Sequence, residues 1–194
     1  PVVFPPNLCY NQARGAPGAR GREFKAERDV MSILDAIQAV RQNHALEHAT
    51  MHVLSWRNPY LQLMGRSTAS GFMIYGQVDT QELANATTEA LARLQRGEAH
   101  LAIHPRCGTN LAVTSLLAGT AAFGTSLGRS RSRFDRLPAA LMAATLAALI
   151  AQPVAHRVQE DITTSPHVDG LHVESITREE RGRFISHKVV TGRS

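Results

Sequence analysis

Cys107-Gly-Thr-Asn-Leu-Ala-Val-Thr-Ser-Leu-Leu-Ala-Gly-Thr-Ala-Ala-Phe-Gly-Thr-Ser-Leu-Gly128 runs for 22 residues without a charge, and Leu137-Pro-Ala-Ala-Leu-Met-Ala-Ala-Thr-Leu-Ala-Ala-Leu-Ile-Ala-Gln-Pro-Val-Ala155 for another 19. About 20 apolar residues carry an α-helix across roughly 30 Å of hydrocarbon, so each run is long enough to span. Their many small residues let two helices approach closely. The pair predicts a two-helix transmembrane hairpin over 107–155. A buried Ala-rich hairpin in a soluble helical core is the competing reading, favoured by the Thr, Ser and Gly of the runs.

Outward from this pair the chain is charged and mixed. Before it, Val30, Ile33, Leu34, Ile37 and Val40 recur at the three-and-four spacing of one buried helix face. That helix either continues or restarts at Asn43, a good cap, and ends by Pro59. Residues 71–78 read as a strand. Asp79 then caps a helix over 80–96 that Gly97 closes, and residues 101–104 read as a second, short strand. After the second apolar run the helix continues to about Glu160, and residues 171–177 and 183–191 form a hairpin around Glu-Arg-Gly.

The predicted fold is therefore α+β: a small antiparallel sheet with helices, interrupted by the membrane hairpin. Its parts are a disordered or extended Arg/Gly/Pro-rich tail over 1–28, an α+β region over 29–106 and a β-hairpin over 156–194 that packs back on it. The 1–28 tail lacks the continuous apolar core of a secretory signal. Arg129, Arg131, Arg133 and Arg136 crowd the loop between the apolar runs, where the positive-inside tendency draws them to the cytoplasm. About a hundred residues without a signal precede the first run, which argues instead for both polar pieces in the cytoplasm, at the bacterial inner membrane.

The formal net charge of +5 suggests an anionic partner, but the basic residues are scattered and not interleaved with aromatics, so no nucleic-acid surface emerges. The lipid bilayer is the expected partner, together with other membrane-protein subunits if the chain belongs to a larger complex. Cys9 and Cys107 are far apart and make no disulfide framework. A reducing compartment leaves Cys107 available as a thiolate ligand.

The chemistry centres on His44-Ala-Leu-Glu47-His48. Histidines four apart share one helix face at a separation that a single zinc ion bridges. In the inverted zincin order, two His bind zinc and the Glu serves as general base toward water. His52 extends the face, but a straight helix puts it about 12 Å from His44, too far for both to bind one ion. The second half-site is His104-Pro-Arg-Cys107, a tight turn on which a His and a Cys three apart converge on one metal. Four ligands, His44, His48, His104 and Cys107, would close a structural site, whereas three leave a position for chemistry.

Other features carry less. Gly65-Arg-Ser-Thr-Ala-Ser-Gly71 lacks the Lys of a phosphate loop and reads as a loop packed close to the metal helix. Asn85-Ala-Thr87 falls inside a predicted helix, where a glycosylation acceptor has no weight. A Cys107–His104 nucleophile dyad would leave His44, Glu47 and His48 unexplained.

His-x-x-Glu-His followed by His-Pro-Arg-Cys-Gly-Thr and an apolar segment resembles the YqhQ-type bacterial membrane proteins, with Ala45 where that pattern commonly has Gly. Residues 43–191 as a whole look like a related uncharacterised family of cyanobacteria and Chloroflexi. The resemblance implies an integral membrane protein with a metal site at His44, Glu47, His48, His104 and Cys107. Two functions fit: a membrane-anchored zinc hydrolase of peptidase type with Glu47 as base, or a non-catalytic membrane subunit or assembly factor with a structural metal or polar His cluster.

Overall fold

A computed structural model describes residues 20–127, 133–181 and 184–194. The chain divides into two units, Pro1–Asp35 and Ala36–Ser194. The described part of the first is helical backbone from Arg20, which begins inside the stretch expected to be tail; the rest of that tail lies outside the described residues.

Helix α1 covers Arg20–Arg57 and does not restart at Asn43. The face expected to be buried is not: Ile33, Leu34 and Ile37 are exposed, and burial begins at Ala39. From there Ala45, Leu46, Ala49, Val53 and Leu54 enter the core. Asn43, expected as a cap, is a buried mid-helix side chain. Its amide donates to the carbonyls of Thr68 (2.8 Å) and Ala69 (3.2 Å) and accepts from the Thr191 hydroxyl (2.8 Å), tying α1 to the sheet.

Strands β1 (Met64–Thr68) and β2 (Gly71–Tyr75) form a hairpin, and β3 (Leu171–Arg181) and β4 (Phe184–Arg193) a second; the tip expected between the latter two lies outside the described residues. All pair antiparallel in the order β1-β2-β4-β3, with Gly71 opposite Val190 and Tyr75 opposite Ser186. The segments before and after the apolar runs thus share one sheet. Gly71 has φ +139°, and a Cβ there would stand 2.0 Å from the Val189 carbonyl oxygen, so the tight turn and the strand approach both require glycine. Strand β1 stands where a loop is expected, because Gly65 to Thr68 has no apolar alternation to mark a strand.

Helix α2 (Thr80–Gln95) follows the sequence pattern. Asp79 Oδ1 accepts from the amides of Gln81 and Glu82, Gly97 follows at φ +89°, and Leu83, Ala86, Thr87, Ala90 and Leu94 form its buried face. Phe72, Ile74 and Val189 of the sheet pack with Leu83 of α2 and Leu46 and Leu54 of α1. Each such side chain contributes about 1.5–3 kcal/mol by leaving water. Residues 101–104, expected as a strand, instead lie in and just after a 3-10 turn (Ala99–Ala102), which leaves the Ala102 and Ile103 carbonyls free to meet histidines.

The apolar runs form α3 (Gly108–Ser126) and α4 (Arg133–Val158), packed along each other. Among the described residues one helix, Arg136–Thr163, is long and apolar enough to cross a membrane, and almost none of it is buried. The expectation of two such helices is thus met by one, because Thr, Ser, Gly and Asn lower the hydropathy of α3. Leu141, Met142, Leu149 and Ile150 of α4 and Leu111, Leu116 and Phe123 of α3 are exposed. Past Val158, α4 passes into one π-helical turn, Gln159–Thr163.

Candidate metal centre

His44 and His48 lie one turn apart on α1 with ring centroids 4.3 Å apart. Facing them is the turn His104-Pro105-Arg106-Cys107, closed by the Cys107 amide donating to the His104 carbonyl (3.2 Å) with Pro105 in the second position. Cys107 is also the N-cap of α3, its Sγ accepting from the Thr109 amide (3.4 Å). Beginning a helix there presents the sulfur to α1: Cys107 Sγ and His44 Nε2 are 3.4 Å apart.

The ligand atoms of His44, His48 and Cys107 all lie within 4.8 Å of one another, and this group can hold a metal ion. His44 Nδ1 meets the Thr163 carbonyl at 2.9 Å, and His48 Nδ1 meets the Ala102 carbonyl at 2.7 Å. A carbonyl oxygen only accepts, so both Nδ1 atoms carry a proton, and in the neutral imidazoles each Nε2 keeps a lone pair for a metal. Backbone acceptors of this kind orient metal-binding histidines and raise their basicity. The fit is also metric. Tetrahedral bonds of about 2.0–2.3 Å place neighbouring donors roughly 3.3–3.8 Å apart; the His44–Cys107 pair has that spacing, and the whole group lies within 4.8 Å.

Burial opposes the Cys107 thiolate, yet hydrogen bonds from His44, His48 and the Thr109 amide outweigh it and bring the thiol from 9.0 to about 5. Burial likewise opposes charge on His44, but the Cys107 sulfur and the Thr163 carbonyl prevail and its pKa rises above 6.5.

Glu47 lies beside this group and not within it. Its buried carboxylate accepts from the Ser67 hydroxyl, and the absent side chain of Gly65 makes room for it: a Cβ there would stand 1.9 Å from Oε1. The stretch around Gly65 thus packs against the histidine helix, as strand and not as loop. Burial raises the Glu47 pKa, while Ser67 and the neighbouring histidines pull it partly back.

His104 is near but outside the three-donor group. Its ring stands 5.6 Å from that of His48 and 4.9 Å from that of His52, and its Nδ1 accepts from the Arg106 amide (3.3 Å). Burial, then the charges of His48, His52 and Arg106, push its pKa down to about 4. His52 directs Nε2 at the Ile103 carbonyl (2.8 Å) and is also outside the group.

Sequence reasoning missed several supporting residues. Ala102 and Thr163 act through backbone carbonyls, which leave no side-chain signature. Ser67 sits in a polar stretch that looked like a loop. Gln159, buried at the start of the π turn, accepts from the His104 amide and donates to the Asn110 side chain.

Comparison with known proteins matches residues 39–176 to the family described as a domain of unknown function, DUF6391. The chain is 39% identical over 149 residues to an uncharacterised protein of the cyanobacterium Picosynechococcus sp., covering 72% of this chain and 73% of that protein. No solved structure matches. The matched span contains α2, α3, α4 and every residue of the three-donor group, and the chain belongs to the DUF6391 family.

Proposed function

We propose that this chain is a membrane-anchored, zinc-dependent hydrolase, of peptidase type, with His44, His48 and Cys107 as ligands and Glu47 as general base. The observation that carries this reading is the separation of roles: three donors converge, while the Glu47 carboxylate beside them is bonded by Ser67 in the space that Gly65 leaves. Three protein ligands are the usual complement of a catalytic zinc, whereas structural zinc takes four. A nitrogen, nitrogen and thiolate set suits zinc among divalent cations.

Zinc bound there would supply Lewis acidity and lower the pKa of a water molecule to about 7. The protein's own part follows from its residues. Glu47, with its pKa raised by burial, is suited to take a proton from water at neutral pH and return it to the leaving group. Ser67 orients that carboxylate, and the Thr163 and Ala102 carbonyls hold the two imidazoles with Nε2 toward the ion. The motif likeness to the YqhQ-type proteins supports the same ligand region.

The membrane reading rests on the exposed apolar surface of α3 and α4. Leu141, Leu146, Leu149 and Ile150 are all exposed on one helix, and clustered exposed apolar side chains mark membrane or partner contacts. The apolar stretch of α4 would cross the membrane, with α3 packed along it, the metal centre just outside the bilayer and the polar pieces in the bacterial cytoplasm. The bilayer is then the partner; nothing in the charge distribution favours nucleic acid.

One observation favours a second, non-catalytic reading as a membrane subunit or assembly factor. His104 shares a turn with Cys107 and packs near His48, so a rotated ring would close the site with a fourth ligand. Cobalt substitution separates the two. Azide shifts the visible spectrum of an open three-ligand site and leaves a closed four-ligand site unchanged.

A further inference from the structure

The π-helical turn Gln159–Thr163 reaches both halves of the metal centre. Its last residue supplies the carbonyl that orients His44, and its first, Gln159, is fully buried against the turn that presents Cys107. Gln159 Oε1 accepts from the His104 amide (3.1 Å), Gln159 Nε2 donates to Asn110 Oδ1, and Asn110 Nδ2 donates to the Pro105 carbonyl (3.0 Å). The amide orientations are fixed by the chain itself: it begins at a backbone N–H, which only donates, and ends at a carbonyl, which only accepts. The Gln159 carbonyl is held in turn by the Thr164 amide (3.0 Å) and the Thr164 hydroxyl (2.7 Å). Single π-turns are uncommon and concentrate at functional sites. Here the turn sets Gln159 and Thr163 against opposite halves of one centre.

We propose that Gln159 and Asn110 are positioning residues of the metal centre, a buried amide pair that fixes the His104–Cys107 turn so that Sγ meets the two histidine nitrogens. Neither touches the ion. They act by holding Pro105 and the His104 amide, the rigid base from which Cys107 projects. Because Gln159 continues directly from α4, the ligand geometry is fastened to the end of that helix. The inference rests on the reading of His44, His48 and Cys107 as metal ligands.

The test is zinc affinity of the detergent-purified full chain, by competition with a chromophoric chelator, for wild type, Gln159→Met, Asn110→Leu and the double variant. Supporting residues of ligands are typically worth 10- to 100-fold in metal affinity, so each single variant is expected to lose about that factor. The double variant is expected to lose little more than either, since one chain is broken once. Thermal unfolding of the metal-free proteins and the cobalt–thiolate charge-transfer band are read alongside. A merely structural role would lower metal-free stability while leaving affinity and band unchanged, and that result overturns the proposal. Asn110→Asp keeps the side-chain shape and replaces the donor to the Pro105 (3.0 Å) and His104 (3.5 Å) carbonyls with a carboxylate oxygen; if Gln159→Met does not fold, reduced affinity in Asn110→Asp supports the proposal and unchanged affinity overturns it. Wild type that binds no zinc overturns the ligand reading as well, whereas wild type and variants that bind equally overturn this inference alone.

Discussion

His44 Nε2 faces Cys107 Sγ at 3.4 Å although 63 residues separate them, and each makes the other's charged form easier to reach. The folded thiol titrates at about 5 against 9.0 for the ordinary value. A depressed pKa contributes stability that is complete above about pH 9 and is lost as pH falls toward 5. His44 runs the other way: its raised pKa contributes below 6.5 and the contribution disappears as pH rises through the folded value. In the metal-free protein, ultraviolet thiolate absorbance is expected to develop with a midpoint near 5 and to be missing in Cys107→Ser. A midpoint near 9 would contradict the pairing.

Gly65→Ala is expected to disturb Glu47 selectively. The new methyl would stand 1.9 Å from the carboxylate, which must leave Ser67 or push β1 outward. Overpacking of this kind costs about 1–3 kcal/mol, readable by denaturant unfolding. Metal content should survive, because Glu47 is not among the three converging donors. Stability equal to wild type would show that the carboxylate does not occupy this place.

Asn43→Ala removes a fully buried amide that bonds the Thr68 and Ala69 carbonyls and the buried Thr191 hydroxyl. Stranding a buried polar group costs about 1–3 kcal/mol, and the Thr191 hydroxyl is the buried one left behind, so a loss of that size is expected in denaturant unfolding. A cost of a few tenths would mean the three bonds do not hold α1 to the sheet.

Asn43 also marks where the sequence misled. As a residue type it reads as a cap, and only the sheet beside it, through the end of β1, the turn after it and Thr191 of β4, turns it into a mid-helix bridge. Ile33, Leu34 and Ile37 have a helical period and are nonetheless exposed, since periodicity locates a face and not what covers it. By contrast Asp79 and Gly97 act locally, and local signals gave α2 to within a residue of its last turn. His44, His48 and Cys107 were legible as donors because a four-residue spacing and a Pro-containing turn are local as well. The exclusion of His104 from the converging group, and the work of Gln159 and Ser67, depend on tertiary contacts that no spacing encodes.

Leu146 and Ile150 are exposed on α4, one turn apart. Arg at each is expected to cost about 2.5–3.5 kcal/mol of insertion if that face meets lipid. Wild type should resist alkaline extraction from membranes, and the Leu146→Arg, Ile150→Arg double variant should be extracted or degraded. Wild type released by alkali would contradict the membrane anchor.

The most direct measurement is elemental analysis of the detergent-purified chain, wild type beside Cys107→Ser and Glu47→Gln, read as metal per protein. The account predicts about one zinc in wild type and in Glu47→Gln, and its loss in Cys107→Ser, in line with the three-donor group. No metal in any of the three proteins would contradict it and return His44 and His48 to the role of polar core residues held by backbone carbonyls.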